Sequence, residues 1–455
     1  MPDLSQLEAL VDDFSAVIAN DPGALSPGDA HYVPNLHGTG SEDPIALLAR
    51  QIRLKTGGQL YYFSGMRGTG KSTELKRLET ILNGRDDTRA YIVDALDYIG
   101  DTHEIDTLDL LLVVAAAFAQ RLSEDDALSE SMLKADGPFK RFGNWLQAEV
   151  SIQGATVAGI KVDFQRQQQS IVERIRAFDR ERQERVMADC QAFIASMADE
   201  VRRLWGVEKV VLMVDSLERL RGVGAKANAM FDRVIKVFYG DEKRLRISGT
   251  QIIFSVPPYL PYLTNVQAYV QLFMLASVRV CESPDVARRQ RRAIGIDTME
   301  ALITKRFAAW EQVLTREALH RLIFESGGDI RQLLRRLLSS ALEKAAFAPE
   351  RLPLAESDSL INDVIAAQRV GFEDLVVQSE YPLLKSIGDH NSLELPSRDD
   401  LPMLANFFDL RAVLNYRNGK DWLDLNPLLW PLIDAWTPPA TAAPAASDAA
   451  AVGSA

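Results

Sequence analysis

Residues 65–72 read Gly65-Met66-Arg67-Gly68-Thr69-Gly70-Lys71-Ser72, with Thr73 next. They fill every fixed position of the pattern G-x-x-x-x-G-K-[ST]. The chemistry such a loop performs is the gripping of a polyphosphate. Its glycines let backbone N–H groups turn inward against phosphate oxygens, Lys71 adds a point charge at the β/γ-phosphates, and the Ser72 hydroxyl can ligate Mg²⁺. The loop segment from Gly65 through Arg67, Gly68, Thr69 and Gly70 to Thr73 is therefore the expected phosphate and cofactor contact. A helix starting at Lys71 would present its positive end to the anion.

A polyphosphate site also needs a carboxylate for the metal at the end of a buried strand. Lys209-Val-Val-Leu-Met-Val-Asp215 supplies one after an apolar run, so Asp215 is expected to hold Mg²⁺ together with Ser72. Glu218, three residues on, is the candidate for polarising an attacking water; the alternative is a solvated surface acid. Ser255, at the end of another apolar run, is a candidate γ-phosphate contact, and equally a plain turn former.

A further cation is expected from far along the chain. Residues 326–331 read Ser-Gly-Gly-Asp-Ile-Arg. Gly327-Gly328 end one helix and Asp329 is a good N-cap for the next. Arg331 falls in the first turn of that helix, where a cation opposes the helix dipole. An outside anion such as a γ-phosphate would explain the placement. The alternative is an ordinary surface arginine in a helix that also carries Arg335 and Arg336.

These residues need elements to position them. Strands are expected at 59–64, 90–97, 209–215 and 251–256, and helices at 1–20, 44–53, 106–122 and 226–239. That alternation predicts an α/β fold with a parallel sheet. Residues 148–165 alternate around Gly154 and Gly159, predicting an inserted β-hairpin, and 166–204 reads as one long helix. From 281 to 348 the pattern is helical. From 351 to 436 it is mixed, with helices near 357–377, 381–388 and 398–408. A ribbon, 413–416 and 421–425, then turns at Asn418-Gly419. Residues 437–455, mostly Ala, Pro, Ser and Thr, predict a disordered tail.

The constellation resembles the AAA+ and signal-transduction (STAND) ATPases of the P-loop class. His31-Tyr32-Val33-Pro34 is similar to the arm with which origin-recognition initiators contact adenine, which implies Tyr32 and Val33 as base contacts. Val214-Asp215-Ser216-Leu217-Glu218-Arg219 is similar to the acidic box of KAP-type ATPases, with Ser216 in place of the second acid. Gly327-Gly328-Asp329-Ile330-Arg331 resembles the second sensor of the lid, and 351–436 resembles the winged-helix domain that follows it.

The resemblance implies an N-terminal helix and adenine arm (1–43) and a P-loop core (44–280, insert about 120–206). A helical lid (281–350), a winged helix (351–436) and the tail (437–455) complete it. The implied activity is ATP binding and slow or assembly-dependent hydrolysis to ADP, using Mg²⁺. Arg233, Arg244, Arg246 and Arg279 are equal candidates for an arginine finger. The implied role is a molecular switch in bacterial signalling or antiphage defence, acting as a homo-oligomer or on a separate effector protein. A DNA-loading initiator- or transposition-type ATPase and a nucleotide-holding scaffold without turnover are the alternatives.

Charge and composition bound the partners. The chain has 455 residues and a formal charge of -12, with 51 Lys+Arg against 63 Asp+Glu. That balance argues against broad capture of nucleic acid. Residues 351–436 carry seven Lys/Arg against fourteen Asp/Glu, so the expected winged helix suits a protein partner better than phosphates. The cluster Arg288-Arg289-Gln290-Arg291-Arg292 is the one place where nucleic acid or an acidic partner would be captured. The favoured reading is a solvated helix that also pairs with nearby carboxylates. The two cysteines, Cys190 and Cys281, suit a reducing compartment. With no signal peptide and no apolar run of about 20 residues, the expectation is a cytoplasmic protein with no membrane contact.

Overall fold

The computed structural model describes residues 4–20, 23–38, 42–100, 102, 104–132, 137–150, 174, 177–220, 227–393 and 400–437. Five strands, β1 (Leu60–Gly65), β2 (Thr88–Asp94), β3 (Lys209–Asp215), β4 (Thr250–Val256) and β5 (Gln271–Leu275), form one parallel sheet in the order β2-β3-β4-β1-β5. Strands β1, β3 and β4 are buried along their whole length, which is why their sequences read as unbroken apolar runs rather than alternating ones.

The two faces of the sheet nevertheless separate cleanly. Tyr61, Phe63, Val211, Met213 and Ile253 pack with helices Pro44–Leu54 and Lys71–Asn83. Their strand neighbours Tyr62, Leu212, Val214, Ile252 and Phe254 pack on the other side, where helix Thr107–Ser123 is buried nearly throughout. The period of two in side-chain direction thus builds a core on each face. This is a P-loop NTPase core, with its phosphate loop leaving the carboxyl end of β1 as open α/β sheets require.

The lid is helical: Ala293–Arg306, Arg316–Glu325, and a helix over 330–346 with a π-helical turn at Leu333–Leu338. The N-terminal helix Leu4–Ala19 joins it, burying Val11, Phe14 and Ile18 and stacking Phe14 on Phe307 at 4.5 Å between ring centres. After the lid come helices Ser359–Glu373, Tyr381–His390 and Leu401–Leu410. The antiparallel ribbon β6 (Val413–Asn418) and β7 (Lys420–Leu425) and the short helix Trp430–Ala435 close the described chain.

Three expectations change. The first three residues of the hairpin expected at 148–165 fall in a π-helical turn, Leu146–Val150; residues 151–165 lie outside the described residues. The expected single helix 166–204 is interrupted: Arg174 is helical, the chain turns at 177–179, and a helix starts at Arg180, which Asp179 caps by accepting from the Arg182 N–H; residues 166–173, 175 and 176 lie outside the described residues. The charged run 179–185 is thus a helix start, where acids are favoured. Strand β5 has no counterpart in the sequence reading. It is a short edge strand with only its last two residues buried, and it carries neither a long apolar run nor flanking turn residues. The expected tail from 438 onward lies outside the described residues. Among the described residues no helix is long and apolar enough to cross a membrane.

Candidate functional site

The phosphate loop takes its shape from Gly68 (φ 83°) and Gly70 (φ 94°), left-handed positions that glycine occupies without steric cost. Thr69 braces the loop by donating its hydroxyl to Met66 O at 2.9 Å. The Lys71 ammonium is buried. It donates to Gly65 O at 2.9 Å and Met66 O at 2.8 Å, and pairs with Glu218 Oε1 at 3.1 Å. Glu218 is therefore not a surface acid: it is buried, and its Oε2 has no hydrogen-bond partner.

The two acids differ in electrostatics. Burial, then the nearby Glu218, raises the Asp215 carboxyl above the usual range, against the Ser72 hydroxyl and Ser216 N–H that bond its charged form. Burial pushes Glu218 the same way, but the Lys71 charge and hydrogen bond outweigh it and hold the group lower. The Ser72 hydroxyl bonds the Asp215 carboxylate, and two such hard oxygen donors beside the loop are a set that fits Mg²⁺.

Around these groups lies a cavity of about 870 Å³, within the size range of small-molecule sites. Gly68, Gly70, Lys71, Ser72, Asp215 and Glu218 line it, and Tyr32, Val33, Leu302 and Leu334 add apolar surface. The arm bearing Tyr32 is pinned on both sides. Lys305 of the lid donates to Tyr32 O at 2.8 Å, Leu25 N–H donates to Thr73 Oγ1 at 3.1 Å, and Lys76 donates to Ala24 O at 2.7 Å. Arg67 also lines the cavity and donates to Arg219 O at 2.5 Å.

Arg331 reaches this cavity from the lid. A Cβ built on Gly68 would lie 2.6 Å from the Arg331 Cβ and 3.5 Å from its Nε, so the arginine rests directly on the loop. The turn before it is held from behind. Asp329 is fully buried, caps the helix by accepting from Gln332 N–H at 2.8 Å, and pairs with Arg411 at 3.1 Å. Tyr416 donates to Gly327 O at 2.7 Å, and Asn426 donates to Gln332 Oε1 at 2.9 Å. At Gly328 (φ 77°) an added Cβ would stand 1.8 Å from Val278 O, so only glycine fits between lid and core.

The structure thus brings Tyr32, Val33, Arg67, Gly68, Gly70, Lys71, Ser72, Thr73, Asp215, Glu218 and Arg331 to one cavity. Gly65 and Thr69 stand behind the loop as braces. Ser255 is fully buried behind the acidic turn, and its Oγ accepts the Leu217 N–H at 3.0 Å. It orients the chain that carries Glu218 rather than facing the cavity. The sequence reading missed Asp94, His37, Arg306 and Arg335, which also line the cavity. Asp94 had a signal, an acid ending an apolar strand; the others depend on tertiary contacts.

The arginine cluster 288–292 is engaged internally. Arg289 pairs with Asp424 at 3.2 Å and Asp434 at 2.6 Å and lies over the Trp430 ring. Arg291 pairs with Glu356 at 2.8 Å, and Arg288 donates to Gly388 O. The cluster ties the core–lid junction to the C-terminal segment. Helix Leu401–Leu410 also faces inward, burying Leu404, Phe407 and Phe408, and Phe408 stacks on Tyr262 at 5.6 Å between ring centres.

No protein-family model matches the chain, and no curated protein matches it. Among solved structures it is similar to the Aeropyrum pernix ORC2 protein in ADPNP-ADP complexes, at 11% identity and TM-score 0.38, over 92% of this chain and 97% of that one. It is also similar to Drosophila ORC bound to DNA, at 14% identity and TM-score 0.27, over 82% and 87%. Likenesses this distant carry no inference about activity.

Proposed function

We propose that the chain is a Mg²⁺-dependent, ATP-binding molecular switch of the AAA+ kind with slow hydrolysis to ADP. The observation that carries this reading is the seating of Arg331 on the phosphate loop while its own turn is fastened to Arg411, Tyr416 of β6 and Asn426. One bound tripolyphosphate would touch Lys71 from the core and Arg331 from the lid, so its γ-phosphate is the natural tie between them. Arg331 meets the loop whose backbone N–H groups face phosphate, and the arginine fork suits phosphate oxygens.

Ser72 and Asp215 would hold Mg²⁺, which supplies charge neutralisation at the phosphates. Glu218, ionised and buried, is placed to orient and take a proton from an attacking water once Lys71 turns to phosphate. Tyr32 and Val33 with Leu302 and Leu334 offer an apolar slot for the base. The C-terminal segment is proposed as a winged helix that presents itself to a partner protein or a second copy of the chain, in signalling or antiphage defence.

Hydrogen exchange tests the switch. ATP with Mg²⁺ should slow exchange across 326–332 and change it across 401–425, and ADP should do neither to the same degree. Equal protection by the two nucleotides would remove the γ-phosphate tie.

A further inference from the structure

The acidic box carries Ser216 where a second acid is expected, which leaves Asp215 alone on the metal side. The sheet brings another acid there. Asp94 closes β2 and is the register partner of Asp215 in β3. Parallel neighbours lie about 4.8 Å apart, so the two carboxylates leave the sheet side by side, and both line the cavity.

Ser216 joins them. It is held at φ 73°, left-handed, a conformation that costs a residue with a Cβ. Its hydroxyl donates to Asp94 Oδ2 at 2.8 Å and its N–H to Asp215 Oδ1 at 2.8 Å. Asp94 Oδ1 accepts from Leu96 N–H at 2.9 Å. The turn that carries Glu218 is therefore tied to both acids, and Glu218 Oε2 is buried in that turn with no hydrogen-bond partner. Capping the short turn 95–97 accounts for Asp94 Oδ1 alone. It does not account for Oδ2 or for the strained serine.

We propose that Asp94 is the second carboxylate of the metal side, relocated from position 216 to the neighbouring strand, where it positions the Asp215–Glu218 turn through Ser216 and adds a negative charge facing the cation. This rests on the nucleotide-site reading above. Asp94 is a positioning residue: it acts through Ser216 and through its charge.

The test is Mn²⁺ binding, read by electron paramagnetic resonance, to the full chain saturated with ADP. Asp94→Asn keeps the cap and the contact with Ser216, whose hydroxyl can rotate to accept from the amide, and removes only the charge. It should bind metal-free ADP within about twofold of wild type but Mn²⁺ on the order of 10-fold more weakly. The double variant Asp94→Asn/Ser216→Asp returns an acid to the box and should recover most of that loss, which a merely structural role would not do.

Mn²⁺ affinity in Asp94→Asn equal to wild type, or no recovery in the double variant, overturns the proposal. If Asp94→Asn fails to fold, Ser216→Ala replaces it: unchanged Mn²⁺ affinity there counts against the proposal. Wild type that binds no ADP at all removes the site reading and the proposal together. ADP binding with an indifferent Asp94→Asn removes the proposal alone.

Discussion

Arg331 stands against Gly68 so closely that a methyl group on the glycine would lie 2.6 Å from the arginine Cβ. A lid residue and a core residue 263 positions apart thus share one contact, and the glycine serves the arginine as well as the phosphates. Gly68→Ala should fold, because the loop is at the surface of the core, yet it must push Arg331 off the loop and strain φ 83°. ATP affinity should fall about 10-fold or more, and isothermal calorimetry measures it. An unchanged affinity would mean that the contact is incidental.

Glu218 shares the Lys71 ammonium at 3.1 Å. Glu218→Gln removes a charge that Lys71 must partly leave when phosphate arrives. Binding of ATP should hold or tighten, while phosphate release falls about 100-fold or more, the scale of a lost general base. A phosphate-release assay beside an ATP titration separates the two. Equal turnover in the variant and wild type would return the chain to a scaffold without hydrolysis.

His37 gives the fold an acid sensitivity. Burial lowers its pKa from 6.5 to about 4, against the Ala276 carbonyl that bonds Nδ1 at 3.0 Å. The unfolded chain therefore binds a proton that the folded chain refuses between these values. Stability contributed by the neutral ring is complete above pH 6.5, is lost as pH falls, and the loss ends near pH 4. The loss amounts to about 3 kcal/mol at most. His37→Gln should flatten that limb in a series of chemical unfolding curves from pH 7 to 4; parallel curves for both proteins would contradict the assignment.

Much of this site was legible because its signals are local. The phosphate loop, the buried strand ending at Asp215 and the Gly-Gly-Asp break before Arg331 are each contained in eight residues or fewer. What the sequence hid depends on distant pairing. Asp94 gains its place only because β2 and β3 are neighbours, and Ser216 looked like a lost acid until its hydroxyl met Asp94 at 2.8 Å. The arginines at 288–292 read as a charged patch because their acids lie at 356, 424 and 434. Of the hairpin expected at 148–165, residues 148–150 belong instead to a π-helical turn that extends helix Pro138–Trp145.

That paired cluster makes its own prediction. Arg289 is 13% exposed and faces Asp424, itself 2% exposed. Arg289→Ala leaves a buried carboxylate uncompensated and should cost about 3 kcal/mol of stability, seen in thermal or chemical unfolding. Duplex DNA at low salt should not be retained by this cluster in the wild type. A salt-dependent, ATP-requiring gel shift that Arg289→Ala abolishes without loss of stability would favour a DNA-loading ATPase instead.

In the proposed switch one nucleotide is held from two sides, by Lys71 in the core and Arg331 in the lid. Calorimetric titration of the full chain with ATP, and separately ADP, in Mg²⁺ tests it on wild type, Lys71→Ala and Arg331→Ala. Wild type should show saturable uptake, nearly lost in Lys71→Ala for both nucleotides. Arg331→Ala should show a drop of about 10- to 100-fold for ATP, with ADP changed about threefold or less. No uptake by wild type, or an Arg331→Ala protein that binds ATP as tightly as wild type, would contradict it.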